Sequence, residues 1–158
     1  MESKSVAPIE LVGPDNQLTV RFFWNGDRFA HELICRGQSI ASSIDGDAEN
    51  AWPPSPPIQQ LSLESIDGKD VVLGVGAAGR GHWSISVQFT ANSTVKFELA
   101  CRGKEPPQFL GSSYRLESQV SLAPADELTE IDGSCAKFSA LDESHETKQW
   151  AYFVAVNN

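Results

Sequence analysis

Hydrophobic and polar positions alternate along much of this chain. Leu18, Val20, Phe22 and Trp24 are interleaved with Thr19, Arg21 and Phe23, and after Asn25-Gly26-Asp27 the pattern resumes through Phe29, His31, Leu33 and Cys35. A period of two marks a strand with one buried face. The Asn-Gly pair between the two runs predicts a hairpin. A second stretch reads the same way. Trp83, Ile85, Val87 and Phe89 alternate with Ser84, Ser86 and Gln88; Ala91-Asn92-Ser93 supplies a turn; Val95, Phe97, Leu99 and Cys101 then alternate with Lys96, Glu98, Ala100 and Arg102.

These two stretches share letters. Glu32-Leu33-Ile34-Cys35-Arg36-Gly37 returns as Glu98-Leu99-Ala100-Cys101-Arg102-Gly103, an offset of 66 between the cysteines. The preceding strands align by hydrophobic face at an offset of 65, Leu18 on Trp83 and Val20 on Ile85, so the second copy carries one extra turn residue. Without that compensation every side chain would turn to the wrong face. The likeness continues from Leu61-Ser62-Leu63-Glu64-Ser65 to Tyr114-Arg115-Leu116-Glu117-Ser118. Both connections carry prolines, Pro53-Pro54-Ser55-Pro56-Pro57 and Pro106-Pro107. The first also holds the acidic segment Ile44 to Asn50, read as a surface loop.

Further strands are expected at Val71-Val72-Leu73, Ser134 to Ala140 and Trp150 to Val156. The last is apolar on both faces and should be central or covered. No segment carries a sustained 3.6-residue period, and Pro124 to Leu128 offers at most one helical turn. About eleven short, mostly antiparallel strands predict a single all-β domain over residues 1–158, a β-sandwich or barrel. Its two pseudo-repeated halves, about 16–66 and 82–118, are followed by C-terminal strands in 134–158.

Composition narrows the function classes. The 158 residues are 41% hydrophobic and 21% charged, as expected for a globular chain with a substantial core. A net charge of −9 opposes binding to nucleic acid or to an anionic membrane surface. The sequence shows no apolar leader and no apolar run of membrane-spanning length, so a soluble, cytoplasmic protein is expected. Cys35, Cys101 and Cys135 are odd in number and widely spaced, which predicts reduced thiols rather than a disulfide framework. Cys35 and Cys101 share the faces of Leu33 and Leu99 and read as core. Packing of the two halves about a pseudo-twofold would bring them close.

Candidate chemistry is sparse. Gly74-Val75-Gly76-Ala77-Ala78-Gly79 spells G-x-G-x-x-G, but an alternating strand follows instead of the helix a dinucleotide site requires, so the glycines read as a loop. Arg80 and His82 lie just beyond it, Arg80 suited to holding a carboxylate or phosphate and His82 on the polar face with Ser84 and Ser86. Glu32 with Arg36 and Glu98 with Arg102 read as cross-strand ion pairs, or as two arginines lining an anion site between the halves. Trp52 before the proline run reads as a cover for one end of the core, on a stiff crossover that could otherwise dock in an aromatic groove. His31, His82 and His145 show no metal-ligand spacing, and no G-x-S-x-G occurs.

The sequence therefore predicts no cofactor, no metal and no catalytic residue. The reading it favours is a non-catalytic binding module for a protein, a sugar or a small anion, through Arg80, His82, Arg36, Arg102 and Trp52. Two alternatives stay open: a small enzyme centred on His82, Arg80 and Glu98, and a self-assembling structural protein that associates through Trp150–Val156.

Overall fold

The computed structural model describes residues 7–103, 109–117, 121–124, 129–132, 135–139 and 147–156. Thirteen strands run through them: β1 (Ile9–Val12), β2 (Leu18–Trp24), β3 (Phe29–Cys35), β4 (Gln38–Ser43), β5 (Gln60–Ile66), β6 (Lys69–Ala78), β7 (Gly81–Ala91), β8 (Thr94–Arg102), β9 (Gly111–Leu116), β10 (Ser121–Pro124), β11 (Thr129–Asp132), β12 (Cys135–Ser139) and β13 (Thr147–Ala155). They form two antiparallel sheets, ordered β1-β2-β3-β4-β9-β12-β11 and β10-β13-β8-β7-β6-β5. The sheets pack face to face as a sandwich. The described residues include no helix, so none is long and apolar enough to cross a membrane.

Alternation decides what is buried. Leu18, Val20 and Phe22 of β2 face Trp83, Ile85 and Val87 of β7 and Val95, Phe97 and Leu99 of β8 across one continuous core, with Trp150, Tyr152 and Val154 from β13. Each such side chain, moved from water into the core, contributes on the order of 2 kcal/mol. β13 lies between β10 and β8, central in its sheet as expected, and so is no association edge.

The two hairpins have equivalent registers. Leu18 pairs with Cys35 and Trp83 with Cys101, as the offsets of 65 and 66 require. The extra residue is taken up by a register shift between Phe89 and Ala91. Equivalence stops at the repeated Arg-Gly. Arg36 (φ 51) and Gly37 (φ 82) turn the chain into β4, whereas Arg102 ends β8. The third repeated element departs too: β5 is an edge strand, and β9 lies between β4 and β12. Pro106-Pro107, Ser118 and His145 lie outside the described residues. So does most of the helical turn expected at Pro124, which itself ends β10.

The crossover from β4 to β5 is wedged into the open end of the sandwich. Pro53 and Ser55 to Ile58 are buried. The Ile58 carbonyl accepts from the Phe29 N–H at 2.7 Å, and the Gln59 N–H donates to the Val75 carbonyl at 3.0 Å. The Ser55 hydroxyl sits 2.9 Å from the Ser113 N–H and 3.2 Å from its carbonyl. A proline-rich segment held this way is no ligand for an aromatic groove.

The crossover also explains the glycine motif, which is not a loop. Gly74 and Gly76 lie within β6, and only Gly79 (φ 54) belongs to the turn into β7. A Cβ on Gly76 would fall 1.6 Å from the Pro57 carbonyl oxygen, and one on Gly74 would fall 2.8 Å from Ile58. The glycines let the crossover lie directly on the strand.

Candidate functional site

On the outer face of the six-stranded sheet, cross-strand register sets side chains in three rows. Ser62, Leu73, Ser86, Glu98 and Ala151 form one row across β5, β6, β7, β8 and β13. Gln60, Val75, Ser84, Ala100 and Gln149 form the next, and Ala77, His82, Arg102 and Thr147 the third. Rows are about 7 Å apart and strands about 4.8 Å. Serine and alanine occupy much of the floor, and their short side chains leave an open trough. About 820 Å³ of open space lies over its first two rows. A contiguous pocket of about 540 Å³ carries it to His82, Arg102 and Thr147 and shares Gln60, Val75, Ser84 and Ala100 with the first.

The chemistry of the lining is mixed. Leu73 and Val75 are exposed at 36% and 49% and give the trough an apolar stripe along β6. Hydroxyls of Ser62, Ser84 and Ser86 and the amides of Gln60 and Gln149 flank it. Glu98 lies 3.6 Å from the ammonium of Lys96 on its own strand. The third row brings positive charge at Arg102. Gln59 braces the rim: its side chain donates to the Ala77 carbonyl at 3.0 Å and accepts from the Ala77 N–H at 2.8 Å.

Of the five residues singled out from sequence, His82 and Arg102 are directly paired across β7 and β8 and line this trough. Arg80 is exposed on the turn just beyond, its backbone carbonyl against Gly103. Trp52 approaches the same Gly103 from the core side and packs edge-on against Trp83 with ring centres 5.8 Å apart. It covers the core end and does not line the trough.

Arg36 is elsewhere. Its guanidinium donates to Gln17 at 2.6 Å beside the start of β2. That end of the sandwich is tied to the β7–β8 turn by the Ser93 hydroxyl donating to Asp15 at 2.7 Å. Arg102 and Cys101 lie at the other end of β8, about 25 Å away along the strand. Arg36 and Arg102 therefore form no common anion site, and Cys35 and Cys101 do not meet. Glu32 pairs across strands with Arg21 at 3.5 Å, not with a repeated arginine. Burial pushes the Cys101 thiol up to about 11, so it stays protonated.

The enzyme-like constellation does not assemble. His82 and Glu98 stand two rows apart on the trough, about 13 Å, beyond the reach of concerted proton transfer. No cluster of three or more His, Cys, Asp or Glu among the described residues could hold a metal.

A second polar cluster, invisible in the alternation, lies inside the core. His31 Nε2 and Tyr114 Oη are 2.5 Å apart, Tyr114 Oη and Tyr152 Oη 2.6 Å, and the Trp150 indole N–H donates to the Ser112 hydroxyl at 3.0 Å. Burial holds His31 down to about 3, so it is neutral, and raises both tyrosines above their usual range. Asp45, expected on a surface loop, is buried instead. Its carboxylate accepts from the Ser43 hydroxyl at 2.8 Å, and its backbone carbonyl accepts from the buried Arg28 at 3.1 Å. Burial raises its pKa to about 6 against the opposing pull of Ser43 and Arg28. The void bordering His31, Asp45, Ser55, Ser112 and Tyr152 measures about 10 Å³, room for one water at most. This cluster satisfies buried polar groups and admits no substrate.

No protein-family model, curated protein or solved structure matches this chain. The trough is therefore weighed on its own residues.

Proposed function

We propose that the protein is a non-catalytic binding module whose ligand lies along the outer trough of the six-stranded sheet. The observation that carries this reading is the trough itself: two contiguous pockets of about 820 and 540 Å³ on a rigid sheet, floored by short side chains. Ligand sites commonly occupy 300–1,000 Å³ and combine apolar surface with a few placed polar groups. The ligand class that suits the lining is a hydroxyl-rich oligosaccharide. Its hydroxyls would meet Ser84, Ser86, Gln149 and the Glu98 carboxylate, and its apolar ring faces the Leu73–Val75 stripe. A single carboxylate on the sugar would be held at Arg102. The net charge of −9 disfavours a polyanion.

Calorimetric titration with neutral and uronate-terminated oligosaccharides tests this. We expect binding that Ser84→Trp abolishes by filling the trough. Arg102→Ala should weaken only the uronate-bearing ligands, by about tenfold. Silence across the panel, or binding indifferent to Ser84→Trp, would overturn the reading.

A further inference from the structure

Sheet edges expose unpaired backbone groups, and proteins usually blunt them with short strands, prolines, bulges or charges directed at the approaching chain. Among the described residues, three of the four sheet edges are blunted. β1, β10 and β11 have four residues each; Pro8 precedes β1, and Pro124 ends β10. The fourth edge is β5. It runs seven residues, Gln60–Ile66, pairs with β6 without a register break, and contains no proline. Its only charge is Glu64, on the outer face. Leu63 faces the other way at the open margin of the sandwich and is 46% exposed; Ile66 is 48% exposed. Six of its seven residues are exposed.

We infer that β5 is a self-pairing edge and that its partner is β5 of a second copy of this chain. The sequence Gln-Leu-Ser-Leu-Glu-Ser-Ile suits an antiparallel pairing about a two-fold axis at Leu63. That register sets Leu63 against its own counterpart, Leu61 against Ser65, Gln60 against Ile66, and Glu64 against Ser62. No like charges stand directly opposite, and each carboxylate faces a hydroxyl that can donate to it. The contact is isologous and closes at two chains, because each copy spends its one long edge. Both six-stranded sheets become a single twelve-stranded sheet, with the leucine side chains burying each other at the margin.

An axis perpendicular to the sheet leaves both outer faces on the same side. The two troughs, each bordered by Gln60 and Ser62 of β5, would then lie next to each other. The pairing itself does not depend on what fills the trough, and its test needs no ligand.

Sedimentation equilibrium of the ligand-free chain, from low-micromolar to submillimolar concentration, reads the association directly. We expect a mass that rises to twice that of the chain. Leu63→Lys, a change at an exposed position, should keep the single-chain mass over the same range with an unchanged circular dichroism spectrum. Hydrogen exchange on the unaltered protein gives a reading that requires no variant: the β5 amides should become protected at high concentration and exchange freely at low. A single-chain mass throughout would overturn the inference. So would a dimer that survives Leu63→Lys, or one whose β5 amides stay unprotected.

Discussion

The hydroxyl oxygens of Tyr114 and Tyr152 lie 2.6 Å apart, one from each sheet. With His31 at the other side of Tyr114, they make a hydrogen-bonded chain across the core between the two sheets. Tyr114 bonds to His31 and Tyr152, and Tyr152 bonds in turn to Tyr114 and Ser112, so Tyr114→Phe and Tyr152→Phe each take a hydroxyl away from two buried partners. A buried group left without its partner costs about 1–3 kcal/mol. We expect Tyr114→Phe and Tyr152→Phe each to lower stability by about 2–3 kcal/mol, read from urea midpoints at an unchanged m-value.

Asp45 and His31 give opposite pH dependences. Asp45, at about 6 when folded against 3.8 for the free group, keeps its proton longer in the native state. Stability from this group therefore falls as pH rises from about 4 to 6, by about 3 kcal/mol. His31, at about 3 against 6.5, binds its proton less readily when folded, so its contribution is complete above pH 6.5 and is lost as pH falls toward 3. The two offset each other through the mildly acid range. Asp45→Asn removes one of them: the variant should gain stability more steeply than the parent between pH 4 and 7. Equal slopes in urea unfolding at the two pH values would refute the assignment.

Much of this fold can be read from the sequence because the strands of both hairpins each bury one face. β2, β3, β7 and β8 follow from alternation alone, β13 from a run apolar on both faces, and the one-residue difference between the hairpins from aligning Leu18 with Trp83 and Cys35 with Cys101. Four-residue strands such as β1, β10 and β11 carry too few positions to show a period. Gly74 and Gly76 spelled a loop because their cause is the distant Pro57 lying on β6. Asp45 and Arg28 became buried through tertiary contacts that no local pattern records. As for the candidate site, Ser84, Ser86 and His82 were legible as a polar face. Which residues stand beside them depends on strand order, and so Gln149 and Leu73 were not.

Among the described glycines, Gly76 has the closest approach of another segment to where a Cβ would stand. A methyl group there would overlap the Pro57 carbonyl, whose segment is pinned to both sheets. Gly76→Ala should destabilise by about 3 kcal/mol or more. Gly26→Ala, where nothing lies within 4 Å, should cost much less despite its positive φ. Thermal melts of the two variants side by side check the contrast.

Trp52 separates structure from binding. Half-buried against Trp83 and outside the trough, it should cost about 2 kcal/mol of stability on replacement by alanine. Oligosaccharide affinity of Trp52→Ala, measured well below its melting temperature, should match that of the parent.

Within the seven-stranded sheet, β4 and β9 are hydrogen-bonded neighbours, Ala41 opposite Leu116, although all of β5 to β8 lies between them in the chain. The first sheet closes across the whole of the β5–β8 segment, the part of the second sheet that precedes β9 in the chain. Its seam is a long-range pairing that must wait for a loop of four strands to be ordered. Assembly thus has a direction: the β5–β8 meander can form from neighbouring segments, and the β4–β9 junction follows it. Pulse-labelled refolding should find amides of β7 and β8 protected before those of β9, and simultaneous protection would refute that order.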